Sequence, residues 1–130
     1  MRILYSLLFV LSLFCVQAQK ISITQLEVDK LTRPLGLDTK NPDFSWIIKS
    51  DEHNLSQTHY QIFVATDKVF SKRSLVWDSG KTNSSASVYV KYKGKPLEYA
   101  TKYYWTVKVW TNQSSSPKQS SISEWTTGLM

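Results

Sequence analysis

Leu97-Glu-Tyr-Ala-Thr-Lys-Tyr-Tyr-Trp-Thr-Val107 joins a turn to a strand and carries a tyrosine at a special position. The segment follows Lys95-Pro96, and its apolar and β-branched residues recur at the spacing expected where a corner leads into a central strand. Tyr103 stands where its hydroxyl can reach back to upstream backbone, as in the tyrosine corner of immunoglobulin-like domains. The segment therefore predicts a β-sandwich.

The rest of the chain repeats the two-residue alternation of apolar and polar residues that is typical of strands, with Pro, Gly and Ser between the stretches. The predicted strands cover residues 21–28, with a one-residue bulge, 44–49, 60–65, 75–81, which ends in a Ser-Gly turn, 88–92, 103–110 and 122–129. No stretch has a helical period. About seven antiparallel strands of this kind indicate an all-β, immunoglobulin or fibronectin type III-like sandwich.

The pattern also predicts where strands and side chains lie. Residues 21–28 read as an outer strand, residues 103–110 are long enough to be central, and Trp46 is expected to point inward. The polar, Ser-rich residues 112–121 are expected to form a loop. Along the central strand one face carries Tyr103, Trp105, Val107 and Val109, and the other carries Tyr104, Thr106, Lys108 and Trp110.

The first 18 residues have the features of a secretory signal. Arg2 supplies a positive start, residues 3–16 are almost wholly apolar, and Val16-Gln-Ala18 offers small residues before a cleavage point. The apolar stretch is about 14 residues long, whereas a spanning helix needs roughly 20. We therefore predict a signal peptide at residues 1–18, export to the periplasm or the medium, and no membrane association after cleavage.

The length, the cysteine content and the charge of the exported chain exclude several kinds of protein and site. Residues 19–130 have the length of one domain with its own core, and they contain no cysteine. A disulfide framework, a cysteine nucleophile and a thiolate-bound zinc site are therefore excluded. The formal charge of the whole chain is +6. Because the excess is lysine spread along the sequence rather than clustered arginine, we do not expect nucleic-acid binding.

Two pairs of acidic residues are candidates for catalysis: Asp38 with Asp43, and Asp51 with Glu52. An inverting glycosidase needs a general acid and a general base about 6.5 to 9.5 Å apart. In Pro-rich and polar loops such residues are far more often turn formers or solvated charges, because an Asp side chain bonds local backbone. We predict no catalytic residue among them.

Asp78 and two histidines are the remaining polar candidates. Asp78 belongs to Trp77-Asp-Ser-Gly80, where its carboxylate is expected to cap backbone amides while Trp77 packs as a lid. Binding of a sugar hydroxyl by Asp78 is the alternative. His53 and His59 lack a third ligand at metal spacing. The sequence therefore predicts neither a metal site nor a cofactor.

Three stretches occur together in an order and spacing shared with one family. They are Arg33-Pro-Leu-Gly-Leu-Asp38 leading to Pro42-Asp-Phe-Ser-Trp46, residues 57–65 leading to Leu75-Val-Trp-Asp-Ser-Gly-Lys81, and Tyr103-Tyr-Trp-Thr-Val107 leading to Thr127-Gly-Leu129. Together they resemble the fibronectin type III-like domain that opens bacterial α-L-rhamnosidases of glycoside hydrolase family 78. The resemblance covers nearly all of residues 19–130.

This resemblance implies an exported parent enzyme that removes terminal L-rhamnose from plant polysaccharides or glycosides with inversion, using carboxylates in a helical (α/α)6 toroid. None of that toroid is present in these 130 residues, so no catalytic residue carries over. We predict a truncated or fragmentary rhamnosidase. Its sandwich would be a non-catalytic N-terminal accessory and packing module, with the remaining domains of the parent as partners.

Tyr104 and Trp110 share the face that is predicted to point away from the core. Because a large exposed apolar patch usually marks an interface, we predict that both residues contact the following domain of the parent. Aromatic rings also stack on the apolar face of a pyranose, which leaves plant carbohydrate as the alternative partner. The corresponding alternative function is a free-standing secreted carbohydrate-binding or adhesion module.

Overall fold

The computed structural model describes residues 20–130, and the predicted signal peptide at residues 1–18 lies outside the described residues. Nine strands and no helix occupy the described part of the chain, which confirms the all-β prediction. No segment there forms a helix long and apolar enough to cross a membrane.

The strands form two antiparallel sheets that face each other as an immunoglobulin-like sandwich. They are β1 (Ile21–Val28), β2 (Asp43–Ser50), β3 (Gln57–Ala65), β4 (Leu75–Asp78), β5 (Thr82–Asn83), β6 (Val90–Lys91), β7 (Lys102–Thr111), β8 (Ser114–Gln119) and β9 (Ser123–Thr126). The small sheet has the order β1-β2-β6. The large sheet has the order β4-β3-β7-β8, with β5 also paired to β3 and β9 to β7.

The core lies between the two sheets and is built around large rings. Phe44 of the small sheet packs 4.7 Å from Trp105 and 5.5 Å from Trp125 of the large sheet, measured between ring centroids. Trp46 is 1% exposed, so it points inward as predicted. The inward face of β7 is buried at every predicted position, namely Tyr103, Trp105, Val107 and Val109.

The predicted tyrosine corner is present at the start of β7. The backbone N–H of Glu98 donates a 2.8 Å hydrogen bond to the hydroxyl oxygen of Tyr103. The Tyr103 ring stacks on Trp125 with centroids 5.3 Å apart. Burial raises the pKa of Tyr103 above its ordinary value, which extends the range of pH over which the hydroxyl is neutral. The corner therefore fixes the entry of the central strand by one hydrogen bond and one stacked ring.

The predicted bulge in β1 is also confirmed. The pairing of β1 with β2 shifts register between Thr24 and Glu27, and Gln25 has a φ of 50°. The extra residue keeps both Ile23 and Leu26 on the buried face although three positions separate them. Because β1 stands at the end of the small sheet, it is the outer strand that the sequence indicated.

The prediction of a loop at residues 112–121 was wrong. Residues 114–119 form β8, which pairs with the end of β7 so that Gln119 lies opposite Lys108 and Ser114 opposite Thr111. All six side chains of β8 are exposed, so the sequence has no apolar alternation that would reveal the strand. At the edge of a sheet even Pro117 is tolerated, because its missing N–H removes no necessary ladder bond.

Two predicted strands are shorter than expected. Of residues 88–92 only Val90–Lys91 pairs with β2, because Tyr89 has a φ of 55°, which interrupts the extended backbone. Val88, which precedes Tyr89, is 55% exposed, whereas Val90 is buried. Residues 122–129 contribute only β9. The two strands that the sequence did not predict are β5 and β8, which raises the number from about seven to nine.

Candidate functional site

Tyr104 and Trp110 lie on the same outward face of the large sheet. In the pairing of β7 with β3, Tyr104 lies opposite Ala65 and Trp110 opposite His59. The two aromatic residues are six positions apart along β7. At about 3.4 Å per residue their backbones are separated by about 20 Å. The structure therefore places them on one face without bringing them into contact.

A lysine lies over each of three rings on this face. The Nζ atom of Lys81 is 4.8 Å from the ring centroid of Trp110. The Nζ atom of Lys68 is 5.6 Å from that of Tyr104, and the Nζ atom of Lys108 is 5.5 Å from that of Phe63. The outer aromatic face is defined by Phe63, Tyr104 and Trp110 with Lys108, Lys68 and Lys81 over them. Because a cation over a ring is favourable, a pyranose can stack there only by displacing the lysine. The two roles predicted for Tyr104 and Trp110 stay predictions.

Thr106 lies between these rings along β7, but the crossover from β8 to β9 buries it. Its Oγ1 is 3.1 Å from the carbonyl oxygen of Ser120 and 3.0 Å from the Ser120 hydroxyl. The Val107 N–H donates to the same hydroxyl at 3.0 Å, and the Ser120 N–H donates to the Val107 carbonyl at 2.9 Å. Ser120 thus continues the ladder where β8 ends and removes Thr106 from the outer aromatic face.

Asp78 has the structural role that the sequence predicted. Its Oδ1 accepts hydrogen bonds from the Gly80 N–H and from the side-chain amide of Gln61, both at 2.8 Å. Trp77 lies over the core, 5.2 Å from the ring of Tyr92 and 5.9 Å from that of Phe44. The carboxylate therefore fixes a turn, and the indole closes that side of the sandwich.

Three of the other polar candidates, Asp43, His59 and His53, have local partners. Asp43 forms an ion pair with Lys91 at 2.7 Å. His59 Nδ1 lies 2.9 Å from the Thr58 hydroxyl, and the His53 carbonyl accepts a hydrogen bond from the Gln113 side chain. Among residues 20–130, no group of three or more His, Cys, Asp or Glu side chains could hold a metal ion. These residues support turns, pairing and loop contacts.

A cleft opens between the two sheets on the side of β5 and β6. Its volume is about 480 Å³. Tyr60 and Trp77 of the large sheet form one part of the wall, and Tyr89 forms another. Ser79, Thr82, Lys91 and Lys93 are the polar residues of its lining. Aromatic walls with a few polar groups suit a small polar ligand such as a sugar. Sequence reasoning missed this cleft because its walls come from opposite sheets.

Two motifs that are far apart in the sequence meet at one end of the sandwich. The Thr126 N–H donates to the Pro34 carbonyl at 3.0 Å. The Leu37 N–H donates to the Thr126 carbonyl, and the Gly128 N–H donates to the Leu37 carbonyl, both at 2.9 Å. The Ala100 N–H completes the arrangement by donating to the Gly128 carbonyl at 3.0 Å. We call residues 33–38, 98–101 and 126–129 the motif platform.

Thr127 fixes the middle of the motif platform. Its side chain is buried, its hydroxyl donates to the Glu98 carbonyl, and it accepts a 3.0 Å hydrogen bond from the Thr101 N–H. Leu37 and Thr127 also form a parallel bridge. The Pro-Leu-Gly-Leu and Thr-Gly-Leu motifs are therefore two halves of one hydrogen-bonded surface.

Comparison with known proteins assigns this architecture to a family. Residues 23–130 match the model of the Rha78A-like, N-terminal immunoglobulin domain. An α-L-rhamnosidase of Formosa agariphila is 42% identical over 127 residues, which cover 88% of this chain and 13% of that protein. An α-L-rhamnosidase of Streptomyces avermitilis is 41% identical over 108 residues, covering 83% of this chain and 10% of that protein.

A solved structure shows the same relation in three dimensions. The Streptomyces avermitilis α-L-rhamnosidase complexed with L-rhamnose superimposes with a TM-score of 0.79 at 40% identity, over 85% of this chain and 11% of that one. The chain thus spans about a tenth of the length of the relatives that it matches.

Proposed function

The chain belongs to the Rha78A-like N-terminal immunoglobulin domains, and we propose that it serves as the packing module of a larger enzyme that hydrolyses terminal α-L-rhamnosides. Within this family the chain is an accessory module rather than a catalytic one. Its polar residues are consistent with that role, since Asp78 and Asp43 are engaged in a turn and an ion pair.

The proposal also covers the export, the glycoside hydrolase family, the stereochemistry and the substrates of the parent enzyme. The parent is exported through the signal at residues 1–18, belongs to glycoside hydrolase family 78, and inverts the anomeric carbon with carboxylates of a helical toroid. Its substrates are rhamnosides of plant polysaccharides or glycosides. The resemblance of the Trp-Asp-Ser-Gly turn and the Thr-Gly-Leu ending to this family supports these properties. The names of the relatives support the α-L-rhamnosidase activity alone.

One observation carries the proposal: most of this chain aligns with about a tenth of each α-L-rhamnosidase. An immunoblot of source cells and medium with antiserum against residues 19–130 tests it. We expect a band several times heavier than 15.0 kDa, and the enriched product should release L-rhamnose from an aryl α-L-rhamnoside. Proton NMR of the first product gives the anomer, which should be inverted. A single band at or below 15.0 kDa would overturn the proposal.

A second candidate function, a carbohydrate-binding module, is favoured by the cleft between the two sheets beside β5 and β6. Trp77 in its wall provides a fluorescent reporter. A titration of residues 19–130 with L-rhamnose should then give a saturable change in tryptophan emission that Tyr89→Ala abolishes and Tyr104→Ala preserves. A response abolished by Tyr104→Ala would instead place the sugar on the outer aromatic face, and a flat titration would reject L-rhamnose binding by this module.

A further inference from the structure

We propose that the motif platform is the surface on which the next domain of the parent enzyme docks. This inference rests on the proposed function, because the occupant is the polypeptide that follows this domain in a longer rhamnosidase. It assigns the partner a place at one end of the sandwich, whereas sequence reasoning placed it at Tyr104 and Trp110.

The motif platform exposes three large apolar side chains. Leu35 is 85% exposed, Leu129 is 83% exposed and Tyr99 is 67% exposed. Each comes from a different segment of the platform, and backbone hydrogen bonds hold these three segments side by side. Exposed apolar side chains that three hydrogen-bonded segments gather on one platform are the kind of surface that an interface covers.

The backbone beneath these side chains is already fixed. Thr127 is 1% exposed and bonds two segments at once. Gly128 packs so closely that a Cβ added to it would lie 2.7 Å from the Gly36 carbonyl oxygen. A surface that is ordered before binding loses little conformational entropy when a partner docks. The platform is therefore preformed, although its exposed side chains contribute nothing to the core of this domain.

The identity of the occupant follows from the position of the platform. Leu129 belongs to the platform, so in the proposed parent the polypeptide continues directly from this surface. A domain tethered by a short connection has a high effective concentration at the place where it is attached. The outer aromatic face is a poorer apolar surface, since Trp110 and Tyr104 are half-buried and each lies under a lysine.

Hydroxyl-radical footprinting with mass spectrometry tests the inference on the parent purified from the source and on residues 19–130 alone. We expect oxidation of Leu35, Tyr99 and Leu129 to fall several-fold in the parent. Oxidation of Val88 should not change, since Val88 is 55% exposed and the neighbouring Ser87 carbonyl bonds to Trp46 in the middle of β2. Protection of the platform in the isolated domain that grows with concentration would mean self-association and would overturn the assignment.

Substitutions provide a second readout. Leu35→Ser with Leu129→Ser should lower the unfolding temperature of this domain within the parent but leave that of residues 19–130 nearly unchanged. Val88→Ser is the matched control and should be neutral in both. A parent that hydrolyses rhamnosides but shows an unprotected platform and no effect of the substitutions would overturn the docking alone. A product no heavier than 15.0 kDa would overturn the proposed function and the docking together.

Discussion

The indole N–H of Trp46 donates a 3.0 Å hydrogen bond to the side-chain oxygen of Gln57 and thereby joins the two sheets inside the core. The amide nitrogen of Gln57 donates in turn to the carbonyls of Ser84 at 3.0 Å and Ala86 at 2.8 Å. One buried side chain therefore satisfies three polar groups from β2 and from the segment between β5 and β6.

Gln57→Leu should destabilise the domain by about 1–3 kcal/mol, because it keeps the approximate volume but leaves the Trp46 N–H without its partner. Gln61→Leu is the matched control on the same strand. Gln61 is less buried and bonds only Asp78, so a change within about 0.5 kcal/mol is expected. Urea unfolding monitored by tryptophan fluorescence measures both values, and equal costs would contradict the bracing role of Gln57.

The position of Gln57 shows where sequence reasoning reaches its limit. Alternation back from Gln61 and His59 places Gln57 on the outward face. The pairing of β3 with β7 shifts register between Gln57 and His59, and this irregularity turns Gln57 inward. The inward face of β7 was predictable because the pleat imposes its period on an unbroken strand. An irregularity at a strand end follows from tertiary pairing and has no comparable signal in the sequence.

Tyr103→Phe should cost about 1 kcal/mol, since the ring keeps its stack on Trp125 but the Glu98 N–H loses its acceptor. Tyr104→Phe serves as the control on the opposite face of the same strand and should change stability by less than about 0.5 kcal/mol. The two variants can be compared by the midpoint of chemical unfolding. A Tyr103→Phe variant as stable as its control would mean that the corner is maintained by packing alone.

The candidate surfaces, like the inward turn of Gln57, were only partly predictable, because they depend on how distant segments pack. The sequence placed Tyr104 and Trp110 on one face, but the lysines over them come from separate loops at Lys68 and Lys81. The motif platform joins residues 33–38 to residues 126–129, although its two motifs were recognisable separately. Local periodicity determines which face a side chain takes, whereas the neighbours of that face depend on how distant segments pack.

Asp67 should make the stability of the loop between β3 and β4 depend on pH in the acidic range. The hydroxyl of Ser74 bonds its carboxylate, and the N–H groups of Phe70 and Val69 do the same, which lowers the pKa of Asp67. Because the folded pKa is below the unfolded value of about 3.9, the stabilisation is complete above that value and disappears as pH falls through the folded pKa.

Asp67→Asn should therefore lower the unfolding temperature at pH 7, and the difference from the native sequence should shrink at pH 3. Asp51→Asn, in an exposed loop, is the control and should have little effect at pH 7. Differential scanning fluorimetry across this range measures the trend. An Asp67→Asn difference that is the same at both pH values would show that ionisation of Asp67 is not coupled to folding.

Gly128→Ala tests how tightly the motif platform is packed. A Cβ at this position would clash with Asp38 Oδ1 and would lie 2.7 Å from the Gly36 carbonyl oxygen. The Asp38 side chain is exposed and can rotate away, whereas the Gly36 carbonyl is held by the bonds that Leu37 makes with Thr126 and Gly128. Overpacking of this kind should cost about 1–3 kcal/mol.

Repeating Gly128→Ala in an Asp38→Ala background separates the two contacts. If the carboxylate alone obstructs the methyl group, the double variant should recover the stability of Asp38→Ala. We expect most of the loss to remain, because the backbone carbonyl cannot move without breaking the pairing of the two motifs. Chemical unfolding of the four proteins gives this cycle. Full recovery would mean that the platform can yield at Gly36 and is not preformed for docking.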